Sequence, residues 1–143
     1  MAAFNKFEDF VDQLGQGKHV FGTDVLKCAL TNSAPVATNT ILANITQISG
    51  TNGYTTGGAS AAATWAEASG TGTLTGTKIV WTCVTAAMGP FRYVVLYNDT
   101  QTSPADPLIG WWDYGSALTL QVGETFSVKF NNSDTTGTIL TIA

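Results

Sequence analysis

The sequence predicts a mainly β protein: an antiparallel β-sandwich or β-barrel-like single domain with a short N-terminal amphipathic helix. Three observations favour this fold class. Charged residues make up only 11% of the chain, whereas threonine and glycine are abundant. Threonine favours strands, and glycine favours turns and bulges. Apolar and polar residues alternate with period two, most clearly at Phe126, Val128 and Phe130. Turn-forming pairs such as Asn52-Gly53 separate the apolar runs.

Residues 1–17 are predicted to form an N-terminal helix or arm, and residues 18–143 a single β-domain. Apolar side chains recur at i, i+3, i+7 and i+10, which places them on one helix face, and Phe10 widens this stripe. The four are Phe4, Phe7, Val11 and Leu14. Because a helix this short needs packing to be stable, we expect it to lie either on its own sheet or on a neighbouring subunit.

The remaining chain contains eight predicted strands, several of them with period-two alternation. They cover residues 23–31, 59–69, 77–85, 91–98, 108–115, 117–120, 124–131 and 138–142. The alanines of 59–69 would also suit a helix, but the surrounding threonines and glycines favour a strand. Residues 41–48 fit either a helical turn or a strand. Short antiparallel strands at this spacing are typical of a sandwich or barrel.

Two adjacent tryptophans, Trp111 and Trp112, lie inside one predicted strand. Successive side chains of a strand point to opposite faces, so the pair cannot form a single aromatic platform. A regular strand would place Leu108 and Trp112 on one face of the sheet and Ile109 and Trp111 on the other. We expect one tryptophan to lie in the core and the other to face solvent, another loop or another subunit, with carbohydrate stacking as an alternative. Strand register is needed to tell which tryptophan is which.

Side chains that carry out catalysis or bind metals are scarce. The only histidine, His19, follows the predicted helix without a nucleophile nearby in sequence. Asp99, Asp106 and Asp113 are candidate paired carboxylates for a small hydrolase, but each stands beside turn residues, where aspartate commonly caps a turn. The sequence therefore favours a protein that is not an enzyme and has no metal or cofactor.

Charge and hydropathy exclude further classes of partner. The net charge is −4 and the six basic residues are scattered, so no basic face for nucleic acid is expected. No apolar run reaches the ~20 residues of a membrane span, and residues 1–17 lack a signal-peptide pattern. We therefore expect the chain to remain where it is made, with Cys28 and Cys83 as free buried thiols.

Five segments together resemble a family of small virion proteins of tailed bacteriophages, the capsid decoration or cement proteins. They are residues 4–48, GPFRYVVLYNDT (89–100), DPLIGWWDYGSALTL (106–120), GETFSVKF (123–130) and TILTIA (138–143). The resemblance covers most of the chain and is weakest over residues 50–80. Its specificity comes from the order of the motifs, since no single motif is diagnostic.

The resemblance implies a non-enzymatic structural protein, made in the host bacterial cytoplasm, that binds the outer surface of an icosahedral shell and stabilises it. Its implied partners are the major capsid protein and further copies of itself, with a trimer favoured. Two alternatives stay open: a tail, neck or spike component that contacts a host glycan through Trp111 or Tyr114, and a small hydrolase. The candidate contact residues are Phe4, Phe7, Phe10, Val11, Leu14 and Trp111, unless the phenylalanines belong to the core.

Overall fold

The computed structural model describes residues 2–143 and confirms the predicted fold class, a mainly β single domain with antiparallel sheets and one short α-helix. The helix α1 spans Asp9–Gly15, and two 3-10 helices span Leu42–Asn44 and Phe130–Asn132. The strands are β1 (Asn5–Lys6), β2 (Leu26–Thr31), β3 (Ala59–Ser60), β4 (Thr64–Ala68), β5 (Thr71–Thr77), β6 (Ile79–Thr82), β7 (Met88–Asn98), β8 (Leu108–Leu120), β9 (Thr125–Val128) and β10 (Thr136–Ile142).

The strands form three antiparallel sheets that pack in a sandwich-like arrangement and do not close into a barrel. The largest has the order β1-β8-β7-β2-β3, and the smaller ones are β10-β5-β4 and β6-β9. One apolar core draws side chains from all three sheets, among them Leu30, Leu96, Leu74, Trp81 and Val128. Burial of these side chains against one another is what holds the sheets together.

The five-stranded sheet is buried on its second face as well. There Val95 and Tyr97 of β7 pack with Leu42 and Ile45 from the segment that follows β2. This segment is fixed by backbone bonds, including one from the Leu42 N–H to the Asp106 carbonyl. A sheet covered on both faces needs apolar residues at successive positions, which explains the uninterrupted apolar run in β7.

The N-terminal segment differs from the predicted helix in its first half. Phe4 and Phe7 precede α1 in an extended segment, and β1 pairs with β8 through Asn5↔Trp111. The Phe7 N–H donates to the Ile109 carbonyl, and the Phe7 ring is fully buried. Pairing with β8 and burial of Phe7 outweigh the weak preference of a short peptide for helix. The prediction that Phe4 and Phe7 lie on one face of a helix with Val11 and Leu14 was therefore wrong.

A β-bulge in β8 also changes the predicted facing of its side chains. Leu96 pairs with Gly110 but Tyr97 pairs with Leu108, so Ile109 is an extra residue between them. Ile109 consequently joins the main core together with Trp112, and Leu108 lies on the other face with Trp111. The regular alternation assumed from the sequence was wrong at this point, because a bulge inserts one residue and reverses the facing of those beyond it.

Candidate functional site

A groove lies between β8 and β9. Its central part has a volume of about 360 Å³ and is walled by the side chains of Trp112 and Tyr114 from β8 and of Phe126 and Val128 from β9. The Tyr114 and Phe126 rings meet edge to face with their centroids 5.8 Å apart. Strand alternation brings these side chains to the same side, since each strand contributes positions i and i+2.

The groove continues in both directions. Toward the N-terminal segment it meets a depression of about 260 Å³ that shares Ala2, Trp112 and Asn132 with the central part. Toward the far end of β8 it meets one of about 610 Å³ that shares Tyr114, Phe126 and Ser127. We call the three together the β8–β9 groove. Its length along two strands suits an extended ligand better than a compact one.

The second edge of β8 borders this groove. Within residues 2–143, β1 pairs with this edge at Gly110 and Trp111, and no strand pairs with it beyond Trp111. The pairing with β7 skips from Tyr93↔Asp113 to Phe91↔Leu118, so residues 114–117 bulge outward. Backbone groups along an unpaired edge are available to a further strand, which is the usual way in which a sheet recruits an extended segment.

An ion pair anchors the start of this bulge. Arg92 Nε and Nη2 donate to the two carboxylate oxygens of Asp113 at 2.8 and 2.9 Å, and the Gly115 N–H donates to Asp113 Oδ1 at 2.7 Å. The bonds from Arg92, and then that from Gly115, hold the pKa of Asp113 below its ordinary value. Asp113 therefore acts as a turn cap and an ion-pair partner.

The structure places the six predicted contact residues in different environments. Phe7 and Phe10 are 0% and 5% exposed, and both lie in the cores of the same chain. Phe4 is half-buried, with its ring centroid 5.2 Å from that of Trp112. These phenylalanines pack within the protein's own fold because the N-terminal segment lies against β8, which favours the alternative that they belong to the core.

The other three predicted contact residues are accessible to different degrees. Val11 is 55% exposed on α1, and Leu14 is half-buried. Trp111 is half-buried against Phe7, with ring centroids 4.5 Å apart, whereas Trp112 is 5% exposed and packs on Phe130. The expectation that the two tryptophans lie on opposite faces is thus confirmed, and Trp112 is the one in the main core.

A buried polar cluster of His19, Asp24 and Asn98 lies at the end of β7, and none of these residues lines the groove. The Asn98 side-chain amide donates to Asp24 Oδ2 at 2.6 Å and lies 3.2 Å from His19 Nδ1. Burial lowers the pKa of His19 from 6.5 to about 4, although the charges of Asp24 and Asp9 oppose this shift. The sequence indicated that His19 is a loop residue and did not predict its contact with Asn98, which is 79 positions away.

Two of the three candidate carboxylates, Asp99 and Asp106, lie near each other in the connection between β7 and β8, and Asp113 lies apart from them in β8. Asp99 forms an ion pair with Lys27 at 2.9 Å, and burial, followed by the charge of Asp99, raises the pKa of Asp106. Asp113 instead pairs with Arg92. Burial also raises the pKa of the Tyr97 hydroxyl, which donates to the Gly57 carbonyl. The Tyr97 hydroxyl and the ion pairs of Asp99 and Asp113 tie neighbouring segments to the sheet.

The cysteines are free and buried, as expected. Burial raises the pKa of the Cys28 thiol, and the Cys83 thiol donates to the Ala86 carbonyl at 3.0 Å. A thiol held protonated inside a core is unreactive. In the part of the chain that the structure describes, no group of three or more histidine, cysteine or acidic side chains is arranged to hold a metal ion.

Comparisons of the chain with models of protein families, with curated proteins and with solved structures found no match. Across residues 2–143, none of the helices has the length and apolar character needed to cross a membrane.

Proposed function

We propose that this protein is a bacteriophage capsid decoration protein that binds the outer surface of the shell through the β8–β9 groove. The observation that carries the proposal is the unpaired edge of β8 beside an apolar, aromatic-lined groove. Such an arrangement accepts an extended segment of another protein, with backbone pairing along the edge and apolar side chains in the groove. The occupant we assign to it is an extended segment of the major capsid protein.

Two further features support a structural role over an enzymatic one. Charged residues make up only 11% of the chain, and low charge reduces the repulsion that keeps copies of a protein apart. The basic residue that lines the groove, Lys129, forms an ion pair with Asp134, with 2.6 Å between Nζ and Oδ1. The Tyr114 and Phe126 rings give the groove an apolar surface. The resemblance of the ordered motifs to virion proteins supplies the particle setting.

The first experiment measures copy number in the purified particle by quantitative mass spectrometry against the major shell protein. Hundreds of copies in a whole-number ratio to the shell protein are expected of a decoration protein, and summed weak contacts then stabilise the shell. A few to a few dozen copies would place the protein in the neck, tail or a spike. Its absence from the particle would refute both structural assignments.

The groove is tested with a charge substitution at Tyr114, which is 56% exposed. Tyr114→Glu places a charge in the apolar wall and is expected to reduce binding to undecorated shells at least tenfold in a sedimentation assay, because burying an unpaired charge is costly. The matched control is Thr64→Glu on the exposed face of β4, which should bind normally. Equal binding by both variants would remove the groove from the interface.

A host-glycan contact is the second candidate function, and the exposed Tyr114 ring favours it. Aromatic rings give sugars an apolar stacking surface, while Ser127 and Asn132 add hydrogen-bonding groups to the same groove. Trp111 is the weaker platform because it packs on Phe7. Binding of the purified protein to a glycan array, lost in Tyr114→Ala, would favour a spike or tail component over decoration.

A further inference from the structure

The segment between α1 and β2 carries a buried histidine in an environment made for its neutral form. His19 is 6% exposed, and its ring forms a three-ring cluster with those of Phe10 and Phe21, whose centroids are 5.3 and 5.9 Å from it and 6.1 Å from each other. Phe10 belongs to α1 and Phe21 to the turn that leads into β2. The imidazole therefore contacts both the helix and the following turn, which also contact each other through these two phenylalanines.

The orientation of the Asn98 amide determines which imidazole nitrogen carries the proton. Asn98 Oδ1 accepts from the Thr100 N–H at 3.0 Å, so the amide nitrogen is the group that faces Asp24 Oδ2 and His19 Nδ1. The amide nitrogen has two hydrogens, and its two nearest acceptors are Asp24 Oδ2 at 2.6 Å and His19 Nδ1 at 3.2 Å, with the Lys18 backbone carbonyl farther away at 3.4 Å. Donation to the two nearest makes His19 Nδ1 an acceptor and places the single proton of the neutral ring on Nε2. Within residues 2–143, His19 Nε2 is buried and has no hydrogen-bond partner.

Protonation of His19 breaks this arrangement. A second proton on Nδ1 would point at the amide nitrogen of Asn98, so that two donors face each other. Rotating the amide would present its carbonyl to the Asp24 carboxylate and would lose the bond from Thr100. Two carboxylates act on the ring, Asp24 from the turn and Asp9 from α1, and both favour the charged form. Burial outweighs them, which agrees with the lowered pKa of His19.

We propose that His19, Asp24 and Asn98 form an acid-sensitive latch that fastens α1 and the following turn to the end of the five-stranded sheet. Asn98 is the last residue of β7, and Asp24, which also accepts from the Val20 N–H at 2.9 Å, stands just before β2. At neutral pH the latch is closed. When acid protonates His19, the turn leaves Asn98, and Phe10 and Phe21 become accessible.

The direction of the pH effect follows from the pKa of His19. The folded-state pKa lies below 6.5, so the unfolded chain takes up the proton first, and stability falls as the pH drops from about 6.5 to about 4. The ratio of folded to unfolded protein is expected to fall on the order of 50-fold between pH 7 and pH 4.5 from this group alone. The lowered pKa of Asp24 adds a loss in the same direction at lower pH.

The test uses the fact that His19 is the only histidine in the chain. NMR of the imidazole nitrogens between pH 7.5 and 3.5 should show a neutral ring with its proton on Nε2 down to about pH 4. Urea unfolding at pH 7 and pH 4.5 should give a strong pH dependence in the wild type and a weak one in His19→Gln, whose amide oxygen can still accept from Asn98. Lys18→Gln is the matched control and should keep the wild-type dependence.

Three results would overturn the latch. They are a ring that titrates near 6.5, a neutral ring with its proton on Nδ1, and a His19→Gln variant with the wild-type pH dependence. If His19→Gln fails to fold, the wild-type nitrogen spectra alone decide, because they report the tautomer and the titration directly. Hydrogen exchange of the α1 amides, normalised to intrinsic rates, should then show opening at pH 4.5 that exceeds opening of the β7 amides.

Discussion

The two halves of β8 differ in how much of the protein covers them. The first half, through Asp113, pairs with β7 on one edge and with β1 on the other, and it packs on both faces through Trp111 and Trp112. The second half bulges at residues 114–117 and borders the groove. One strand thus has a first half that is paired on both edges and a second half that projects from the sheet. A contact surface that is held in place by such a paired strand loses little entropy when it binds a partner.

The largest effect that would break this comparison is expected from Trp112→Ala. The Trp112 ring packs on Phe4 and Phe130, and its removal leaves a cavity in the main core. Truncating a buried aromatic side chain costs about 3–5 kcal/mol of the free energy of unfolding. Urea unfolding measures this loss directly. Tyr114→Ala, two positions along the same strand, should cost less than about 1 kcal/mol, and similar losses for both variants would contradict the distinction between the halves.

The sequence predicted some strands of this fold and missed others. Period-two alternation and turn residues placed most strands correctly. The preference for strand over helix at residues 59–69 was also correct, but this segment forms two strands, β3 and β4, in different sheets. The strand β5 (Thr71–Thr77) was not predicted, because its alternation of threonine with glycine carries little apolar signal. The sheet faces predicted for the Leu108 and Ile109 side chains were wrong because the local sequence does not indicate the bulge at Ile109.

The site residues show the same division between local and long-range information. The opposite facing of Trp111 and Trp112 follows from strand geometry and was predictable. The backbone bond from Phe7 to Ile109 and the polar contact of His19 with Asn98 join residues that are far apart in sequence and could not be predicted. The groove itself depends on two strands that do not pair with each other, so neither strand alone could reveal it.

An intermediate effect is expected from Gly110→Ala, which tests the pairing of the first half with β1. A β-carbon at Gly110 would collide with the Phe4 ring and would come within 2.7 Å of the Asn5 carbonyl oxygen. Adding a methyl group at such a close approach costs about 1–3 kcal/mol, and here β1 must move away from β8 to accommodate it. Faster hydrogen exchange at Phe7, whose N–H donates to the Ile109 carbonyl, would report that movement. As a control, Gly123→Ala lies where nothing is within 4 Å, and its cost should come from its positive φ alone, without any change at β1.

The smallest effect is expected from Asp113→Asn, at the junction of the two halves. The substitution removes the charge that pairs with Arg92 and leaves an amide oxygen that can still accept from the Gly115 N–H. An exposed ion pair contributes little to stability, so we expect a fall in Tm close to the error of the measurement at pH 7. Because the folded-state pKa of Asp113 is lowered, its contribution is present above the ordinary value of 3.8 and is lost as the pH falls through the folded-state pKa. The wild type and the variant should therefore converge in Tm at acid pH. A large difference in Tm at pH 7 would mean that the Arg92 pair holds the bulge in place, and the second half of β8 would then be as firmly fixed as the first.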